Sequence, residues 1–442
     1  LTSDDDRLAA IRDELVPLFP RSLAHAERVG ELVPGGTSRA RFMFPFPIQV
    51  DHGSGSRVWD IDGREYVDGL GAFGPILLGH AHPAIVSAIA EQAARGSMFG
   101  MPTPLEAELV GRIVEHVPGA ENAVFVASGT EATMAAIRIA RAATGREKIA
   151  KFTGGWHGWH DYAMPTGPGV PSFIEPSVIT LPWDDDAAFD RIRENAADLS
   201  CVLVELVLGA AGALPARREF VHGLRELCDE LGVLLVVDEV LTGFRFGLGG
   251  ASAMFDVAGD LVTLGKVVCG GVPGAAVAGR ADVLKLAIGA SSEESRNRDV
   301  AAVLTGTYSA HPLALAAGNA MIAELERHPD LYPRLFALGA RLRAGLQTVM
   351  DEAGWGVVTG DGPIWGFHAL SERPGRDRDL VTATGNHAAA MAMSALLLRE
   401  GVLVSAPLHL GFLSAAHTDD DVDRIVAAHR TAVSELRTRG FI

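Results

Sequence analysis

Six short apolar runs recur through the middle of this chain and constrain what it can become: Ala123–Ala127, Lys148–Phe152, Val178–Leu181, Cys201–Leu206, Val233–Val237 and Leu261–Leu264. A run that is apolar on consecutive residues has no wet face, so a strand built from it needs cover on both sides. Helical patterns lie between several of these runs. Over Ala132–Ala143 the 3.6-residue period puts Met134, Ile137 and Ala140 on one face, with Arg138 and Arg141 on the other. Continuous apolar strands alternating with helices predict an α/β protein whose mostly parallel sheet is sandwiched between helices.

The flanking regions read differently. Val58–Asp68 has the pattern of a hairpin turning at Asp62-Gly63, and a helix is predicted near Leu331–Ala353, ahead of a β-containing C-terminal part. The expected layout is a large domain over residues 76–328. A smaller α+β domain is made by pairing an N-terminal segment, 1–75, with a C-terminal one, 329–442. The 442 residues carry a formal net charge of −17, which argues against a nucleic-acid partner, because phosphate binding needs clustered Lys and Arg. Cys201, Cys228 and Cys269 are too widely spaced for a zinc site or a disulfide framework. No apolar run reaches the ~20 residues that cross a bilayer. The stretch Leu1–Asp6 is acidic and no signal pattern follows it, so a cytoplasmic protein with no membrane partner is expected.

Four motifs sit at the ends of the apolar runs. Ser128-Gly129-Thr130-Glu131 opens a helix directly after a strand, where unpaired N–H groups can receive a phosphate; an ordinary helix cap has the same composition. Gly154-Gly155-Trp156-His157-Gly158 could stand an aromatic ring beside a ligand, or be a core aromatic with a capping histidine. His157 and His160 lack a third metal ligand at suitable spacing, so no metal is assigned. Leu234–Val237 deliver Asp238 and Glu239 to a strand end, either to face a cation or as salt-bridged or capping acids. Leu264-Gly265-Lys266 ends the next run, where the lysine is either desolvated into a nucleophilic amine or an ordinary surface cation. A nucleotide-binding P-loop fails here, because five residues separate Gly259 from Gly265 and Val267 replaces the required Ser or Thr. Taken in order, a phosphate cup, an aromatic plate, an acid and an amine on one sheet are the parts a pyridoxal ring needs.

With these residues the chain resembles the fold-type I, class III pyridoxal-phosphate aminotransferases, in the branch that holds the glutamate-1-semialdehyde aminomutases; it is also similar to β-amino-acid aminotransferases. The likeness is carried by Val33-Pro34-Gly35-Gly36, Gly79-His80-Ala81-His82-Pro83, Ser128–Ala132, Trp156-His157-Gly158, Asp238–Arg245, Thr263–Lys266, Gly306-Thr307, His311-Pro312 and Ala416-His417-Thr418. The resemblance implies a seven-stranded sheet domain and pyridoxal 5'-phosphate as cofactor. Lys266 would hold the cofactor as a Schiff base and shuttle protons, and Asp238 would partner the pyridine nitrogen. Ser128, Gly129 and Thr130 would bind the phosphate. Trp156 would cover one ring face, where relatives carry Tyr or Phe, and Val240 the other, with His157 and Glu205 also at the cofactor. Thr307 would reach the phosphate of a neighbouring subunit, which implies a homodimer with shared active sites acting on small amine and keto substrates.

The chain also departs from the family's pattern. Leu206 follows Glu205 where relatives have proline, and His311 stands where they have Asn before Pro. His409 occupies about the place of an aminomutase glutamate. Arg39 aligns with a carboxylate-gripping arginine of β-amino-acid aminotransferases, and Arg41 with the aminomutase counterpart. Arg39, Arg41 and His409 are therefore the candidate substrate-binding residues. The expected activity is amino transfer; the alternatives are a 2,1-aminomutase and a cofactor-binding protein without catalysis.

Overall fold

A computed structural model describes residues 3–38, 46–288, 302–405 and 410–442. The chain forms two compact units. One comprises Pro83–Gly209 and Pro215–Tyr332; the other joins Leu1–His82, Ala210–Leu214 and Pro333–Ile442.

The first unit is built on a seven-stranded sheet. In chain order its strands are β1 (Asn122–Val126), β2 (Lys148–Phe152), β3 (Val178–Leu181), β4 (Leu199–Val204), β5 (Leu234–Glu239), β6 (Leu261–Leu264) and β7 (Ala275–Gly279). Their order across the sheet is β1-β7-β6-β5-β4-β2-β3. β7 pairs antiparallel with both its neighbours, and the other pairings are parallel. All six apolar runs became strands, as continuous burial on both faces demands: every residue of β4 and β6 is buried. The seventh strand, Ala275-Ala276-Val277-Ala278-Gly279, is built mainly from small residues of weak strand propensity, so the residues alone gave no signal for it.

Helix α1 (Gly129–Thr144) packs on this sheet, and here the sequence reading needs correction. Met134 is exposed, while Ala132, Ala135, Ala136, Ile139 and Ala140 join Ile137 in the core. The small alanines let the helix backbone approach the sheet closely, so that face wins over the one marked by the larger Met134. Strand β4 also stops at Val204, which leaves Glu205 just beyond its end.

The second unit holds the hairpin Arg57–Asp60 and Glu65–Asp68. Gly63 sits at φ +87° in its turn, a conformation glycine adopts without steric cost. Val402–Leu403 adds a parallel strand to that hairpin, so the N- and C-terminal segments share one sheet. A long helix, Leu331–Ala353, begins in the first unit and runs into this one. Asp419–Thr438 starts from a capping box between Thr418 and Asp421. No helix among the described residues is long and apolar enough to cross a membrane.

Candidate active site

Parallel strands bring their C-terminal ends to one edge of the sheet, and the chemistry-bearing residues of the first unit collect there. The strand register sets the centre. Asp238 on β5 lies opposite Thr263 on β6, and Glu239 lies opposite Leu264, two residues before Lys266. Side chains alternate along a strand, so the two adjacent acids face opposite sides.

Asp238 is buried and held by three donors. Thr263 Oγ1 donates to Oδ1 at 2.9 Å, Val240 N donates to the same oxygen at 3.0 Å, and His157 Nδ1 lies 2.7 Å from Oδ2. With Nδ1 turned to a carboxylate, that nitrogen carries the proton. Nε2 of the same buried ring has no hydrogen-bond partner among the described residues. Glu239 does something else. Its carboxyl group accepts from Ala251 N at 3.0 Å, Ser252 N at 2.6 Å and Thr242 Oγ1 at 2.7 Å, capping helix α2 (Gly250–Phe255). The helix-capping reading thus holds for one acid of the pair and not for the other.

Lys266 follows Gly265 into a short 3-10 turn and is partly buried, with φ +49°. A non-glycine residue in that region is strained by roughly 1–3 kcal/mol, a cost seen mostly at functional positions. Burial pushes its ammonium down to about 8, and the fully buried Arg245 guanidinium adds to the effect, while the charges of Glu205 and Asp238 oppose it. Val240 joins this turn to the start of α1. A methyl group on Gly129 would lie 2.8 Å from Val240 Cγ1, and one on Gly265 would lie 3.0 Å from it.

At the cup, Ser128 caps α1 by accepting from Glu131 N at 3.2 Å, and Ala127 N donates to Glu131 Oε2 at 2.9 Å. The N–H groups of Gly129 and Thr130 open the first turn, where a helix offers no acceptor and its dipole favours an anion. Gly158, at φ +89°, packs so closely that a methyl group would come within 2.8 Å of Thr130 Cα. A cleft of about 860 Å³ opens beside this helix start, lined in part by Ser128, Thr130, Arg138 and Trp159. His160 faces α1 rather than a metal. Its Nε2 lies 3.2 Å from Thr133 Oγ1 and its Nδ1 accepts from Ala163 N at 3.3 Å, and burial pushes it down to about 4.

Glu205 completes the group. Oε1 accepts from Trp156 N at 2.7 Å and Oε2 from Gly209 N at 3.1 Å. Burial raises its carboxyl to about 7; the His157 ring opposes this and the Asp238 charge adds to it. The Trp156 ring is 54% exposed. Ser128, Gly129, Thr130, Trp156, His157, Glu205, Asp238, Val240 and Lys266 therefore gather at one sheet edge. Thr307 stands apart, exposed in the turn after Ala302–Val303. His311 caps the helix Pro312–Arg327 through Nδ1, which accepts from Leu313 N at 3.3 Å, a task its usual counterpart Asn also performs. Arg39, Arg41 and His409 lie outside the described residues. Nothing in the run Thr263–Lys266 itself gives Thr263 a role; the register across two strands does, by setting it opposite Asp238.

Comparison with known proteins gives this arrangement its context. Residues 39–405 match the aminotransferase class-III family.

The chain is a class III aminotransferase-family enzyme.

Like the rest of this family it depends on pyridoxal phosphate. Among curated relatives, the glutamate-1-semialdehyde 2,1-aminomutase of Roseiflexus castenholzii is 37% identical over 92% of this chain and 95% of its own. Among solved structures, an omega-transaminase from Sphaerobacter thermophilus is 32% identical with a TM-score of 0.87, covering 94% of this chain and 98% of that one. A beta-phenylalanine aminotransferase from Variovorax paradoxus is 31% identical, again at 0.87, over 99% of both chains. Among class III aminotransferases, then, similarity extends both to mutases and to transaminases.

Proposed function

We propose that this enzyme transfers an amino group from an amino acid or related amine to a keto acid or aldehyde. The observation that carries the catalytic reading is the shared strand edge of Lys266 and Asp238, an amine whose charged form burial disfavours beside a carboxylate held by three donors. The residues fit the cofactor. The first turn of α1, free of side chains at Gly129, would hold its phosphate; Val240 and Trp156 would flank its ring; Asp238 would face its pyridine nitrogen; Lys266 would bind it through Nζ. Bound there, the cofactor supplies an electron sink beside the amine-bearing carbon.

The chain's own groups do the rest. Lys266 Nζ would accept the proton from the substrate's amine-bearing carbon and hold it for return. The low value of its amine leaves a ~300-fold larger neutral fraction near pH 7 than the ordinary lysine value of 10.5 allows. His157 and Thr263 fix the carboxylate of Asp238, so its charge needs no rearrangement while charge develops nearby. Thr307 would complete the phosphate site of a second subunit, making the active species a homodimer. Arg39 or Arg41 would grip a substrate carboxylate, with His409 near it.

His409 turns the reading toward transfer, because it stands about where the aminomutases carry a glutamate. A second reading, the 2,1-aminomutase, is favoured by identities of 36–37% to curated aminomutases. One turnover with a donor amine and no acceptor separates them. Transfer leaves the cofactor in its amine form and releases a free keto product. Isomerisation of glutamate semialdehyde without released keto product would overturn the transferase reading.

A further inference from the structure

We propose that Glu205 is a positioning residue: its carboxyl group ties the turn bearing Trp156 to the turn at Gly209 and so fixes where the indole stands. This rests on the reading of Trp156 as the residue that faces the cofactor ring.

The two turns leave different strands. The first follows β2 and is rich in glycine, with Gly154 at φ +83° and Gly158 at φ +89° on either side of Trp156. On one side of Trp156 the stretch is anchored, His157 by Asp238 and Gly158 by its packing on Thr130; at Trp156 itself the indole is too exposed for packing to hold it. The second turn lies four residues beyond Glu205. Glu205 reaches both, one oxygen to each N–H, from a position 5% exposed just past the end of β4.

The choice of residue is informative. Two N–H groups pointing at one side chain need two acceptors and no donor, and among side chains of this length only an ionised carboxylate offers that. Glutamine would turn an N–H against an N–H. An apolar residue would fill the space at less cost, because burying an acid beside another acid is unfavourable. That cost shows in the rise of Glu205 to about 7. The titratable groups that it feels are His157 and Asp238, and its own charge is felt by Lys266 and by Lys151 on β2. An acid kept in that company for packing alone would be a poor solution; as a double acceptor it has no neutral substitute.

The test is residue-resolved amide exchange on the holoenzyme, comparing wild type with Glu205→Gln and Glu205→Ala. With glutamine, one of the amides of Trp156 and Gly209 should exchange about tenfold faster while the other holds; with alanine both should. Amides of β4, Leu199–Val204, should stay as protected as in wild type. The circular dichroism of the bound cofactor should weaken in the alanine variant and recover partly with glutamine. The kcat should fall several-fold with KM for the amine nearly constant. Should the alanine variant fail to fold, the glutamine variant alone judges the clamp by its one-sided loss. Wild-type protection at both amides in either variant would overturn the proposal, as would equal loosening of β4. Trp156→Ala keeps the underlying reading separate. If it leaves the cofactor's dichroism unchanged, the ring assignment of Trp156 fails, and the exchange data still decide whether Glu205 is a clamp.

Discussion

Two neighbourhoods meet at the end of β5, one around Asp238 and one around Glu239. Both acids are buried and each accepts three hydrogen bonds, yet they differ in what holds them. Glu239 is surrounded by the start of a helix: two backbone N–H groups and a hydroxyl, all belonging to the local fold. Asp238 is held by a histidine from the turn after β2, a threonine from β6 and one backbone N–H, and it faces the side on which Lys266 and the cup of α1 lie. The chemistry of the side chain is nearly the same in both. Its role follows from which face of the strand it occupies and from what the neighbouring strands bring there.

The largest expected effect breaks the pair apart. Asp238→Asn should cost roughly 10²–10³ in kcat, the scale of losing a preorganised electrostatic group, in addition to about 1–3 kcal/mol of stability from its own mismatched buried donors. Glu239→Gln should share the stability loss but spare the rate. It should lower unfolding free energy by about 1–3 kcal/mol, by leaving buried donors of α2 poorly matched, with kcat of the folded fraction within a few-fold of wild type. Steady-state kinetics and denaturant melts on both variants check this. Equal kinetic losses would mean that the two sides are not functionally distinct.

A smaller effect concerns what holds Asp238. Thr263→Val preserves shape but removes the donor to Oδ1, leaving that oxygen with Val240 N alone. A loss of about tenfold in kcat, with little change in KM, is expected if orientation of the carboxylate limits the rate. An unchanged kcat would assign the whole task to His157.

The smallest effect is a pH shift that should follow one acid and ignore the other. Burial and Arg245 set the Lys266 ammonium at about 8, and the Asp238 charge pulls it upward. Rebinding of cofactor to the apoenzyme needs the neutral amine, so its rate should rise with pH through about 8 and level off above it. Asp238→Asn removes an upward influence, so the midpoint should move to lower pH. Glu239→Gln should leave it in place.

Much of this was legible in the residues. The apolar runs marked six strands because a strand covered on both faces has nowhere to put polar side chains, and the acid and the lysine were visible as charges ending two of those runs. What was hidden depends on register and close approach. Nothing in the local pattern says that Thr263 sits across from Asp238, that Val240 wedges between Gly129 and Gly265, or that Glu239 serves a helix twelve residues onward. On α1, Ile137 and Ala140 lie in the core as their spacing indicates, but Met134 does not, because alanines make the closer contact with the sheet. Strand β7 escaped notice because its small side chains carry little propensity. The proposed substrate grip, Arg39, Arg41 and His409, lies outside the described residues and rests on the resemblance to relatives alone.

The central claim is that the sheet edge is built around one lysine, and the sequence makes that claim easy to test. The chain contains four lysines: Lys148, Lys151, Lys266 and Lys285. Lys148 pairs with Asp198, and Lys151 donates to the Ala163 carbonyl oxygen, so burial-depressed Lys151 is the nearest rival. Hydride reduction of the holoenzyme makes the bond between cofactor and lysine permanent, and peptide mapping then locates it. The account predicts the cofactor's mass on Lys266 alone, with Lys266→Ala neither retaining label nor turning over. Label on Lys151, or turnover surviving in Lys266→Ala, would contradict it.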